Sequence, residues 1–145
     1  MKQTYQDVVN RIKEVANAHS GIYSVDTGRD LEFDVKKKHE WPRFFIKTVA
    51  APILGGPGTV ELAVDFVFLL MARVEIDRSD IIEVMNTTHS AMTDVLATLS
   101  FEQIIRKEEL RPMTPLYDYQ DTQTSGWQIP VRAYIEKGFE CYEVD

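Results

Sequence analysis

The sequence predicts an α+β domain: a mainly antiparallel sheet with two helices packed on one face and an extended hairpin arm. Three observations lead there. Two stretches, one near the start and one past the middle, repeat apolar residues every three or four positions, the helical period. Two others, around Thr59–Ile76 and Trp127–Ile135, alternate as half-buried strands do. The order helix, strands, helix, strands lacks the regular strand–helix alternation of a parallel sheet. With 145 residues and no linker, internal repeat or low-complexity tract, the chain reads as one domain, residues 1–145.

In the first helix Val8, Ile12, Val15 and Ala16 share a face, Thr4 with Asp7 resembles an N-terminal capping pair, and Ser20-Gly21 stops it. An extended Ile22–Val25 leads to a turn at Asp26-Thr27-Gly28-Arg29-Asp30. Leu31, Phe33 and Val35 alternate with acids as a strand, Lys36–Glu40 is a solvated turn, and Arg43–Val49 is another strand after Trp41-Pro42. Pro52–Gly58 lacks the Gly-Lys-Ser/Thr ending of a phosphate-binding loop and reads as a hairpin tip able to order against a neighbour. From Thr59 to Ile76, Leu62, Val64, Phe66, Phe68 and Leu70 make one apolar face, while the other is polar at both ends and apolar in its middle. Taken wholly as strand, at ~3.3 Å per residue, it reaches about 60 Å. That predicts a central strand with an end projecting into a hairpin.

Asp77 to about Arg106 reads as a longer helix, opened by Asp80 with Glu83 and striped by Ile81/Ile82, Met85, Thr88/His89, Met92, Val95/Leu96 and Leu99. It breaks near Ser100, with one more turn over Phe101–Ile105. Pro112 and Pro115 exclude a central strand from Lys107–Gln123, although Tyr117 and Tyr119 suggest a short extended piece. After a turn at Asp121–Gly126 the last strand runs from Trp127 to Ile135. Pro130 places it at an edge or at a bulge, and a short acidic tail follows.

Asp and Glu number 23 against 16 Lys and Arg, a net charge of −7. Binding nucleic acid by counterion release needs a basic face, so this balance argues against it, while leaving DNA as a passing cargo. The most apolar run, Phe66–Ala72, is far short of the ~20 residues that span a bilayer, and the start leads straight into an amphipathic helix. These features predict a soluble protein made in the cytoplasm, with no membrane partner. A single cysteine, Cys141, allows no disulfide within the chain.

No catalytic constellation emerges, and neither a metal nor a cofactor is expected. His19, His39 and His89 lack a partner at ligand spacing; Asp94, five residues after His89, is poorly placed on a helix. Acidic neighbours raise the pKa of Cys141, opposite to what a nucleophile needs. Asp65 interrupts an apolar strand, and three readings stay open: a solvent-facing position, a salt bridge across a subunit interface, or a catalytic acid. Gly126-Trp127 is either a turn with an aromatic anchor in the core or an interface hot spot.

The layout resembles phage tail-terminator and tail-completion proteins, small α+β proteins of the head–tail neck. The resemblance covers most of the chain. Its carriers are the N-terminal helix, Trp41-Pro42-Arg43-Phe44-Phe45, and the long apolar strand leading through Asp77 into a helix with an embedded Asn86. Asp121, Gly126-Trp127, the strand to Ile135 and Cys141 complete it. The resemblance implies a non-enzymatic virion structural protein. It would form a homo-oligomeric ring, a hexamer, around the DNA channel and contact adjoining tail or neck proteins. Gly55, Gly56, Pro57, Gly58, Glu61, Asp65, Arg73, Glu75 and Trp127 are the candidate subunit-interface residues, with the Pro52–Gly58 loop and the strand end beside it driving assembly. Another head–tail connector or a tail-tube component is the alternative within this class. A small-ligand or peptide-binding module, with a concave apolar site between helix and sheet, is the alternative outside it.

Overall fold

In the computed structural model, residues 4–28, 41–55, 60–117 and 123–135 are described. The Leu31–Val35 strand, the Lys36–Glu40 turn with His39, Tyr119, Asp121 and Thr122, and the tail with Cys141 lie outside these residues, while Thr124–Gly126, read from sequence as part of a turn, belong to the last strand, whose ladder extends three residues further than the alternation from Trp127 shows.

Helix α1 spans Tyr5–Ala18. Its capping box forms as expected: the Thr4 hydroxyl accepts from the Asp7 N–H at 3.2 Å, and the Asp7 carboxylate accepts from the Thr4 N–H at 2.8 Å. Thr4→Ala should lower stability by about 1 kcal/mol, read from the urea midpoint. Val8, Val9, Ile12, Val15 and Ala16 are buried, as the spacing predicts, with Val9 added.

Six strands follow: β1 (Ser24–Gly28), β2 (Arg43–Ala50), β3 (Ile53–Leu54), β4 (Glu61–Arg73), β5 (Thr114–Tyr117) and β6 (Thr124–Ile135). The sheet order is β1-β2-β4-β6-β5, with β3 pairing β4. All pairings are antiparallel except β1 with β2. The fold is therefore α+β with a mostly antiparallel, mixed sheet, and the described sheet does not close into a barrel.

Three other local readings need correction. Asp26, Thr27 and Gly28 belong to β1 and not to a turn. They pair with Phe45, Ile46 and Lys47, and Asp26 receives the Arg43 guanidinium at 2.5 Å. Pro130 marks neither an edge strand nor a bulge, since β6 lies between β4 and β5. It is tolerated because β5 reaches only Gln128 and the next partner on that side is Ile105, opposite Ala133. The ladder is interrupted where Pro130 has no N–H to give. The third concerns helix α2, Ile81–Phe101, whose expected capping box is absent: the Asp80 carboxylate accepts instead from the Glu75 N–H at 2.9 Å.

Strand β4, 13 residues, is shorter than the Thr59–Ile76 segment that the alternation marks and is paired with β6 from Leu62–Ile135 to Arg73–Thr124. The hairpin continues from β2 through an irregularity between Thr48 and Ala50 into β3, which pairs Ile53 with Leu62 and Leu54 with Glu61. Both helices lie on one face of this sheet. Phe44, Ile46, Val64, Phe66, Phe68, Leu70, Ile129 and Val131 meet α1 and α2 there, in the main core. On the opposite face Phe45, Leu69 and Met71 form a second cluster with Trp41, Val67 and Leu116, the apolar middle that the alternation predicts.

The stripe of α2 is slightly rotated from its expected course. Val84, Met85, Thr88, Ala91, Met92, Val95, Leu96 and Leu99 are buried, whereas Ile82 is 81% exposed. After Phe101 the chain turns through Gln103 (φ 62), and Tyr134 donates its N–H to the Ile104 carbonyl at 2.8 Å. The extra helical turn expected at Phe101–Ile105 thus gives way to a short contact with the edge of β6.

Candidate functional site

Leaving α2, the chain passes along the edge of β6, forms a short 3₁₀ turn at Lys107–Glu109, and returns as β5. Between its two contacts with β6, the Ile105–Ala133 bridge and the β5 ladder, a cleft of about 1430 Å³ lies between this segment, α2 and β6. Leu96, Leu110, Met113 and Ile129 are among its apolar lining, and His89 and Trp127 stand at one end. The Trp127 indole N–H donates to the Met85 carbonyl at 2.8 Å, and its ring meets His89 edge-on at 5.1 Å between centroids. Trp127 is therefore an intramolecular anchor of β6 to α2.

A polar clamp holds this segment against the sheet. Arg106 donates to Glu61 at 2.5 Å and lies over the Tyr134 ring, 3.7 Å from its centroid. The Tyr134 hydroxyl donates to the Glu109 carboxylate. Beside it Arg132 forks onto both oxygens of Asp65 at 2.7 and 3.1 Å, which settles Asp65 in an ion pair within the chain, half-exposed on the sheet face. That hydrogen bond raises the Arg132 pKa further. Burial, and then the bond to Glu109, push the Tyr134 hydroxyl above the ordinary tyrosine range. A raised folded-state pKa gives stability that is complete below the ordinary value and lost as pH rises through the shifted one. Tyr134→Phe should therefore flatten the alkaline limb of a stability-against-pH curve, measured by urea unfolding between neutral pH and the alkaline range.

No protein-family model matches the chain, and no curated protein does.

The other residues singled out from sequence scatter over the described structure. Gly55 is exposed at φ 132, in the left-handed region that favours glycine; Gly56, Pro57 and Gly58 lie outside the described residues. Glu61 and Trp127 line the cleft. Arg73 and Glu75 are exposed at the opposite end of β4.

One polar pair escaped the sequence reading, since its partners lie on different helices. His19 Nε2 is 2.8 Å from the Asp94 carboxylate, and its Nδ1 accepts the Gly21 N–H at 2.9 Å. The backbone donor fixes Nδ1 as the acceptor and leaves the proton on Nε2, facing Asp94. This pair fastens the end of α1 to α2 and leaves neither ring nitrogen for a substrate. Among the described residues, no group of three or more His, Cys, Asp or Glu side chains is placed to hold a metal ion. No helix there is long and apolar enough to cross a membrane.

Proposed function

We propose that this chain is a structural protein of a tailed-phage particle, a tail-terminator or tail-completion subunit that builds a ring at the head–tail neck around the DNA channel. The resemblance in the sequence supplies the family. The observation that carries assembly is the distribution of exposed apolar side chains. Val49, Ile53 and Val60 stand out at the hairpin end of the sheet, and Ile76 and Ile82 at the other end. A subunit with two separated apolar surfaces can hold two neighbours at once, as closure into a ring requires.

Light scattering on the purified chain, followed by negative-stain microscopy, tests this reading. A closed species of about six copies supports it. Long tubes point instead to a tail-tube protein, and a chain that stays single at high concentration speaks against assembly on its own. The cleft beside α2 favours a second reading, a module that binds a small ligand or peptide, because it is concave and carries apolar side chains among a few polar and charged ones. A monomer that binds hydrophobic probes in that cleft would support it.

A further inference from the structure

Helix α2 buries one side against the sheet and turns the other to solvent, and the solvent side is nearly empty of charge. In a chain with 27% charged residues, the 21 residues of α2 include two, Glu83 and Asp94, and Asp94 is held by His19 at 2.8 Å. Along the middle of that side run Ile82, Asn86, Ser90, Thr93, Ala97 and Phe101, all exposed. Large apolar residues stand at its two ends, Ile82 at 81% exposure and Phe101 at 89%. At 3.6 residues per turn the six fall within one arc about 100° wide, the width of a packing face. Thr93 donates its hydroxyl to the His89 carbonyl at 2.8 Å, so covering it strands no donor.

The spacing of this face says what covers it. From Ile82 the intervals are 4, 4, 3, 4 and 4 residues, the same read from either end. Laid antiparallel on a copy of itself, centred between Ala91 and Met92, the helix sets Ile82 level with Phe101 of the second copy. Asn86 then meets the level of Ala97, and Ser90 that of Thr93. Every layer recurs on the other side of the axis, as an isologous contact requires. A helix of another protein would impose no such symmetry. Two chains of net charge −7 repel, and neither Glu83 nor Asp94 falls in these layers.

We infer that α2 is a two-fold contact, along which two copies of this chain pair antiparallel in the register just given. The inference goes beyond the ring reading, since ring contacts are heterologous. It leaves Val49, Ile53, Val60 and Ile76 to neighbours within a ring, and joins chains of separate rings where rings form. The face is about 29 Å long and about 10 Å wide, roughly 300 Å² per copy against the ~800 Å² of an ordinary specific interface, so the pair is weak and reversible on its own.

Disulfide trapping on the full chain tests register and direction together. Asn86→Cys and Ala97→Cys are made separately in a Cys141→Ser background. Both positions are exposed, so both variants should melt with the wild type. In the antiparallel pair Asn86 and Ala97 of different copies share a layer, within the ~7 Å between Cα atoms that a disulfide tolerates, whereas the two Asn86 residues lie about 16 Å apart along the axis. Under mild oxidation an equimolar mixture should give about 10-fold more cross-linked chain on a non-reducing gel than either variant alone at the same total concentration. A single variant that cross-links as well as the mixture overturns the register. A mixture that yields no cross-linked chain at about 1 mM, weaker than the ordinary range of specific contacts, overturns the contact. Light scattering keeps the two readings apart. Pairs and nothing larger leave this contact standing and overturn the ring, whereas closed rings whose variants fail to cross-link overturn this contact alone.

Discussion

Replacing Gly126 with alanine is expected to cost about 3 kcal/mol or more and to lower the melting temperature by roughly 10 °C, if the variant folds at all. Gly126 lies opposite Met71 in the β4–β6 ladder. A Cβ built on it would lie 1.9 Å from the Leu70 carbonyl oxygen and 2.8 Å from the Met71 Cα. Those atoms belong to the backbone of the central strand, so no side chain can rotate aside. The ladder must open instead, and it joins the two longest strands. Thermal melts followed by circular dichroism decide the matter: a variant melting within about 2 °C of wild type would mean that the strands can part locally at little cost.

Phe68→Ala should cost about 4 kcal/mol. Phe68 is fully buried on the helix side of β4, with ring centroids 5.2 Å from Phe44 and 5.9 Å from Phe66. Removing it takes away apolar burial and two aromatic contacts and leaves a void between a sheet and helices that cannot collapse far. Phe101 provides the contrast. At 89% exposure it has little to lose, and Phe101→Ala should stay within about 0.5 kcal/mol. Urea unfolding of the two variants side by side checks the pair. Equal midpoints would contradict the placement of the core.

Much of this core was legible in the chain, because burial on a strand or helix leaves a periodic trace. Leu62 to Leu70 announced the helix-facing side of β4, and Val67, Leu69 and Met71 announced the patch behind it. The Thr4–Asp7 box was legible for the same reason: both partners lie within one helical turn. Where the reading departed from the structure, a distant partner intervened. Asp80 bonds to Glu75 in place of its own helix. Asp26 reads as a turn residue until β2 is laid beside it. Pro130 looks like an edge residue because nothing in its neighbourhood says that β5 will stop at Gln128. The cleft and its clamp were the least legible part. Glu61, Arg106 and Tyr134 come from three remote segments, and their conjunction depends on where α2 ends. His19 and Asp94 likewise meet only through the packing of one helix on the other.

The β4–β6 ladder also governs the order in which the chain can acquire its shape. Its registers join residues far apart along the chain, Leu62 with Ile135 and Phe66 with Val131, while α2 and β5 lie in the loop between them. Closing that loop must precede most of the reward, which slows folding relative to a helical bundle of the same size. During synthesis β4 emerges with its valines and phenylalanines paired only to β2. Its other edge stays without its long partner until Ile135 has left the ribosome. For that interval the nascent chain carries an open, apolar strand edge, the kind of surface on which chains associate before they are folded.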